Sequence, residues 1–360
     1  EDRARFFDAF AAMHGNSTSA GRAAYGDAFK SLDHFVRIHL NLAAGRDVDQ
    51  LHDGMGFLTQ HVALSNAFEK ALQAVAPRLA LPYWDVTEDS TLAVTRHGGD
   101  VAGLWASEVW RDDWFGNATG SAAHVVERGR FAYQTVGRGA GGGATNPYGL
   151  LRAPWNVNKS PYLTRAHTFC GESFSLSMWP SCAAHYNFTF HPAYDAWYDY
   201  VWAAGYSPHG PVHYFVGGYV NCAGLEERFG GLIDADGARS LALLLLGVPK
   251  NLWRDGYVES PSYCAADAEQ TSCHLVCAGE PSDATWAAEM MVILLHYAEL
   301  FSKTGLDIKY EWLERMAPSN YTAFLDVFCT MAWAPGEQME AASPADVSFW
   351  PIHPTMERLW

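Results

Sequence analysis

The sequence predicts a mainly α chain, with long loops and a large cysteine-containing insertion around its helices. Two observations carry this expectation. Apolar residues recur at helical intervals in several stretches: Tyr25, Phe29, Leu32, Phe35 and Val36; Phe57, Leu58, Leu64, Phe68 and Leu72; and Tyr194, Trp197, Tyr198, Val201 and Trp202. Between them lie stretches of low periodicity, above all the glycine-rich residues 86–165, while five of the seven cysteines fall within 219–340. At 360 residues the chain is longer than a typical domain, yet no stretch reads as a linker. One domain over residues 1–360, with an insertion at about 219–340, is therefore expected.

Residues 1–45 read as helix, loop, helix, with Gly15–Gly21 as the loop and His39 on the second helical pattern. His52 follows in a glycine-broken loop, and His61 stands one turn into the next helix, near its apolar face. A histidine aimed into a core needs a partner. Three neutral imidazoles from two helices and a loop suit a first-row metal such as copper or zinc. The stretch Leu81-Pro82-Tyr83-Trp84-Asp85 reads as extended, since Pro82 forbids helix continuation.

Within residues 86–165, Gly137–Gly143 contains a formal G-x-G-x-x-G pattern. No apolar strand feeds it, and Asn146-Pro147 stands where a helix would start, so a mobile surface loop is expected. Further on, His209 and His213 are spaced i and i+4, which puts both imidazoles on one helix face, as a single metal ion requires. Zinc protease chemistry would need glutamate directly after His209, and Gly210 is there. Cys273 and Cys277 have no second close pair to complete a metal knuckle, and His274 and His296 stand alone. Pro354, just after His353, is expected in the first turn of a closing helix, with Glu357 one turn along from the imidazole.

The net charge of -16 argues against nucleic-acid partners and anionic membrane surfaces. The longest apolar runs, Leu241–Leu246 and Trp286–Phe301, fall short of a membrane span. The chain starts at Glu1 without a signal-peptide pattern, so any export signal is expected to have been removed or left out. Five N-x-S/T sequons, at Asn16, Asn117, Asn158, Asn187 and Asn320, occur among only eleven asparagines. Together with seven cysteines that allow three disulfides and one thiol left over, they predict a secreted or secretory-lumen glycoprotein. Disulfide connectivity cannot be deduced at this level.

Five ordered motifs bracket nearly the whole chain: Phe35–His39, the Gly-Phe-Leu-x-x-His core of His52–Glu69, Leu81–Asp85, His-x3-His-x3-Gly-Gly from His209 to Gly218, and Ser-Pro-x-Asp to Arg-x-Trp at 343–360. In these the sequence resembles the type 3 copper proteins: tyrosinases, catechol oxidases and molluscan-type haemocyanins. The resemblance implies a tyrosinase-like four-helix bundle core holding two copper ions. By position, His39, His52 and His61 are the implied ligands of the first, and His209, His213 and His353 those of the second. It also implies dioxygen as co-substrate, bound as peroxide, and oxidation of o-diphenols, small phenolic substrates, to quinones. Six neutral imidazoles would leave two cupric ions uncompensated, so an anionic bridge fits the charge balance.

The chain departs from the family pattern at several points. Ile352 replaces the first histidine of a closing pair, Val347 a usual proline, and Glu357 a usual aspartate. Gln50 stands where many members carry a thioether-forming cysteine. Gly210 replaces an asparagine that, with an upstream glutamate, holds a proton-accepting water in tyrosinases; upstream there are only Asp195 and Asp199. Diphenol oxidation, as in catechol oxidases, is therefore expected over monophenol hydroxylation. The alternatives are a haemocyanin-like dioxygen carrier and a degenerate structural module with extracellular protein partners.

Overall fold

The computed structural model describes residues 1–360 apart from 119, 140–142, 221, 223, 304–307 and 359–360. Part of the Gly137–Gly143 pattern and the last two residues of the closing signature thus lie outside the described residues. Among those described, helices dominate and the β-structure amounts to two-stranded pairs and isolated bridges.

Periodicity explains the central helices. In the Leu32–Ala43 helix the buried residues are Leu32, Phe35, Val36, His39, Leu40 and Ala43, an i, i+3, i+4, i+7 stripe with His39 inside it. The Phe57–Val75 helix buries Phe57, Leu58, His61, Leu64, Ser65, Phe68, Ala71 and Leu72 in the same way. The Phe349–Glu357 helix locks onto both. Trp350 stacks on Phe68 with centroids 3.3 Å apart and meets the edge of Phe35 at 5.8 Å. The Gly210–Gly217 helix closes the group, with His209 at its N-cap 5.3 Å, ring to ring, from Phe57. This mainly α arrangement, with long irregular connections, is the one expected.

Several local expectations need correction. The Gly15–Gly21 loop shrinks to a break at Asn16-Ser17, because the Ser17 hydroxyl accepts the Ala20 N–H and starts a helix at Thr18. Residues 86–165 open with a helix, Val86–His97, capped by Asp85 and ended by Gly98 at φ 62°. Its buried face includes Thr87, Asp89 and Ser90, so hydrophobic periodicity hides it. Pro354 lies inside the closing helix, which already starts at Phe349. The helix bond it removes is offset by tertiary anchors: the Trp84 N–H donates to Pro351 O at 2.8 Å, and the Thr355 hydroxyl donates to Trp84 O.

The cysteine-bearing segment leaves and returns at one place. Tyr219 pairs with Pro335 and Val220 with Ala334 in an antiparallel register, and the Gly336 N–H donates to Gly218 O at 3.1 Å. Residues 336–340, counted with the insertion on sequence, therefore lie with the helix that carries His213. Disulfides join Cys170 to Cys222, Cys264 to Cys273 and Cys277 to Cys329, leaving Cys182 as an exposed thiol. Cys273 and Cys277 thus go to different partners. The buried core runs on from Phe6 through Leu241–Leu252 to Ile352.

Candidate metal centre

Each histidine of the first trio is oriented by a group that can only accept a hydrogen bond. Nδ1 of His39 lies 2.7 Å from Ala341 O, and Nδ1 of His61 lies 2.7 Å from Phe57 O. Nδ1 of His52 lies 2.9 Å from a carboxylate oxygen of Asp49. In all three the hydrogen therefore sits on Nδ1 and the lone pair on Nε2. The rings converge, with centroids 5.1 Å (His39–His52), 5.5 Å (His39–His61) and 5.2 Å (His52–His61) apart.

Asp49 is fully buried and fixes the His52 loop by more than the imidazole. Its Oδ1 accepts the backbone N–H groups of Leu51 at 3.0 Å and His52 at 2.9 Å. Two cations from the cysteine-bearing segment complete the cluster: Lys250 bonds Oδ2, and Arg254 approaches it at 3.7 Å. Burial alone would raise the Asp49 carboxyl, but His52 and Lys250 beside it hold it well below the usual range.

In the second trio, ring centroids lie 4.5 Å (His209–His213), 4.6 Å (His209–His353) and 5.4 Å (His213–His353) apart. His213 Nδ1 lies 2.9 Å from the Gln338 side-chain oxygen. The Gln338 amide donates to Ser348 Oγ at 2.7 Å, and the Ser348 hydroxyl donates to Asp346 at 2.8 Å. Arg165 grips Asp346 with two bonds of 2.7 Å. A relay buried from Arg165 to Gln338 thus sets the tautomer of His213.

The two trios meet where His61 stacks on His353 at 4.2 Å. Phe57 and Phe349 pack against histidines of both trios and supply apolar walls. Within each trio, one ring nitrogen per histidine lies within 4.8 Å of the others. Burial pushes His39 down to about 3 and His213 to about 4, and holds His61, His209 and His353 well below the usual value, so all five rings are neutral at pH 7. Nε2 of His39, His61 and His353 is buried without a hydrogen-bond partner. A bare buried acceptor costs about 1–3 kcal/mol, a deficit that a metal ion at each trio would remove. The donor set fits copper or zinc.

Beside the histidines lies a cavity of about 160 Å³, lined by His52, His209, His213, Tyr206, Tyr214 and Glu340. A larger cleft of about 540 Å³, between Asp2–Phe7 and Leu79–Asp89, touches none of them. A Cβ on Gly210 would stand 2.9 Å from the Tyr214 hydroxyl and 3.0 Å from Gly205 O, so the tyrosine occupies the space an asparagine would need. Asp195 and Asp199 are exposed. Ile352 is buried and shares a small cavity with His209 and His185, a histidine that no motif or spacing in the sequence singles out. His274 Nδ1 bonds Leu275 O, and His296 is exposed.

The sequons divide by exposure. Asn187 is exposed, Asn16 and Asn320 are half-buried, and the Asn117 sequon includes Thr119, outside the described residues. Asn158 must be withdrawn as a glycan acceptor. Its side chain is buried, donating to Thr164 Oγ1 at 2.8 Å and accepting the Ser160 N–H at 2.9 Å, so the fold has no room for a sugar there.

Residues 5–230 match the model of the common central domain of tyrosinase. A stretch of 106 residues is 33% identical to grixazone synthase of Streptomyces griseus subsp. griseus, covering 28% of this chain and 30% of that protein. The chain therefore spans less than a third of that relative's length in the alignment. With two convergent histidine trios and a family match over residues 5–230, most of its length, the chain belongs to the tyrosinase family.

Proposed function

We propose that the chain is a type 3 copper oxidase of o-diphenols, with His39, His52 and His61 holding one copper ion and His209, His213 and His353 the other. The observation that carries this reading is the convergence of the six rings at the His61–His353 stack, with bare buried Nε2 atoms on both sides. The bound coppers would supply the redox chemistry, taking two electrons from a diphenol and passing them to dioxygen.

The chain's own residues bind, orient and exclude water. Asp49, Phe57 O, Ala341 O and Gln338 hold four imidazoles with Nε2 turned inward. Phe57 and Phe349 keep the space between the trios dry. The cavity beside His52, His209 and His213 suits one aromatic ring, since a cavity of roughly 150 Å³ takes up benzene. The His52 side chain is 35% exposed, which supports access by a substrate over a shielded dioxygen carrier. Tyr214 in place of the asparagine, with Asp195 and Asp199 exposed, supports diphenol over monophenol turnover.

The reading extends to a single domain over 1–360 with an insertion closed by the 219–220/334–335 pair, and to a secretory-pathway location. Three disulfides and the sequons at Asn16, Asn117, Asn187 and Asn320 support the location; no described helix is long and apolar enough to cross a membrane. Oxygen uptake with a catechol and a matched monophenol, alongside copper analysis, tests the function. Copper at both sites with uptake on the catechol alone is expected. A protein that takes up no copper on reconstitution would return the chain to a structural role.

A further inference from the structure

The segment from Glu337 to Ser343 runs between the two trios and touches both. Gln338 accepts from His213 Nδ1–H, and the Ala341 carbonyl accepts from His39 Nδ1–H. Between them stands Glu340, 8% exposed, on the wall of the cavity that also holds His52, His209 and His213. Its Oε2 accepts the backbone N–H groups of Ala153 and Ala342, each at 2.9 Å. Its Oε1 is buried and has no hydrogen-bond partner. Native proteins rarely leave a buried polar atom bare, and one just behind a cavity wall, on a side chain that lines the cavity, is within a small rotation of a ligand there.

We propose that Glu340 is a specificity-determining residue whose free Oε1 hydrogen-bonds the second ring oxygen of an o-diphenol while the first oxygen faces the histidines. This rests on the diphenol reading above and names the residue that distinguishes a diphenol from a monophenol. Burial raises the Glu340 carboxyl to about 8, so near neutral pH it is mostly the neutral acid. Because Oε2 already accepts two N–H bonds, the proton belongs on Oε1, which becomes a donor with no partner in the protein. A monophenol lacks the second oxygen and leaves that donor unpaired, the kind of mismatch by which a site built for a hydroxyl rejects its deoxy analogue. No charge change is needed for the contact, and no proton leaves the residue.

The test uses protein loaded with zinc, which binds ligands without turnover. Dissociation constants for 4-nitrocatechol and 4-nitrophenol are read by absorbance for wild type, Glu340→Gln and Glu340→Met. Glutamine keeps an oxygen for the two backbone N–H groups and places an N–H donor where Oε1–H stands; methionine removes both. The expected result is a preference for 4-nitrocatechol that Glu340→Gln keeps within about threefold and Glu340→Met reduces about tenfold, with 4-nitrophenol affinity unchanged in both. A Glu340→Met protein that keeps the preference, or variants that weaken both probes alike, would overturn the proposal. Wild type that binds neither probe would overturn the diphenol reading and this proposal together. A methionine variant that does not fold leaves a direct measurement on wild type. There, 4-nitrocatechol but not 4-nitrophenol should shift the infrared C=O band of the protonated carboxyl, and an unshifted band refutes the contact.

Discussion

Replacing Asp49 with asparagine probes how the cysteine-bearing segment acts on the metal centre. The carboxylate accepts His52 Nδ1–H at 2.9 Å and also faces Lys250 and Arg254. Asparagine can keep one accepting oxygen for the backbone N–H groups of Leu51 and His52. Its NH2 group then meets the Lys250 ammonium or the His52 N–H, donor against donor. Loss of such an orienting partner lowers metal affinity about 10–100-fold, or about 1.4–2.7 kcal/mol. The cost in fold stability should be smaller than the about 3–5 kcal/mol of breaking a fully enclosed pair. The Lys250 side chain is already 26% exposed and can return to water, and Arg254 keeps Asp53 at 3.3 Å and the carbonyls of Ala43 and Gly45. Copper titration against a competing chelator, with urea denaturation of the same samples, separates the two effects. Under limiting copper, Asp49→Asn should lose the first-trio ion while the His209, His213 and His353 site holds its own. Unchanged affinity, or equal weakening at both sites, would refute the reasoning.

Other predictions follow from the same contacts. Arg165→Met leaves Asp346 buried and unpaired, and should cost about 3–5 kcal/mol in urea unfolding. For the metal-free protein, His39 and His213 have folded values of about 3 and about 4 against 6.5 unfolded, so they take up protons on unfolding in acid. Their contribution is whole above pH 6.5 and declines as pH falls through that window, by up to about 1.4 kcal/mol per pH unit for each ring, measurable by denaturation at stepped pH. Glu340 runs the other way: raised to about 8 from 4.5, it stabilises below pH 4.5 and loses this as pH rises toward 8, so Glu340→Gln should gain on wild type across that span. Glycopeptide mass spectrometry after expression in a eukaryotic secretory pathway should find sugar at Asn187 and none at Asn158; sugar at Asn158 would contradict its buried placement.

The legible part of this fold was the part written in apolar spacing. His39 and His61 fall on the buried stripes of their helices, so periodicity alone points them inward. The His209–His213 pair is legible because i and i+4 share a helix face. That His353 stacks on His61 has no local signal, since the two are far apart in sequence and only the family resemblance joins them. The orienting groups were missed for physical reasons. Asp49 lies in irregular backbone and Gln338 in a single 3-10 turn, and the other two orienting groups, Ala341 O and Phe57 O, are main-chain carbonyls that carry no residue signature. Gln338 and Glu340 also fall inside the insertion that the sequence predicts, and it is the Tyr219–Pro335 pairing that returns them to the histidines. The Val86–His97 helix is hidden because its inward face uses Thr87, Asp89 and Ser90, all three of them buried polar groups that periodicity counts as exposed.

Anomalous diffraction at the copper edge from crystals of the copper-reconstituted protein tests the central claim most directly. The account predicts two peaks roughly 3.5–4 Å apart, one among His39, His52 and His61 and the other among His209, His213 and His353. A single peak, or copper bound elsewhere while the two trios stay bare, would contradict it.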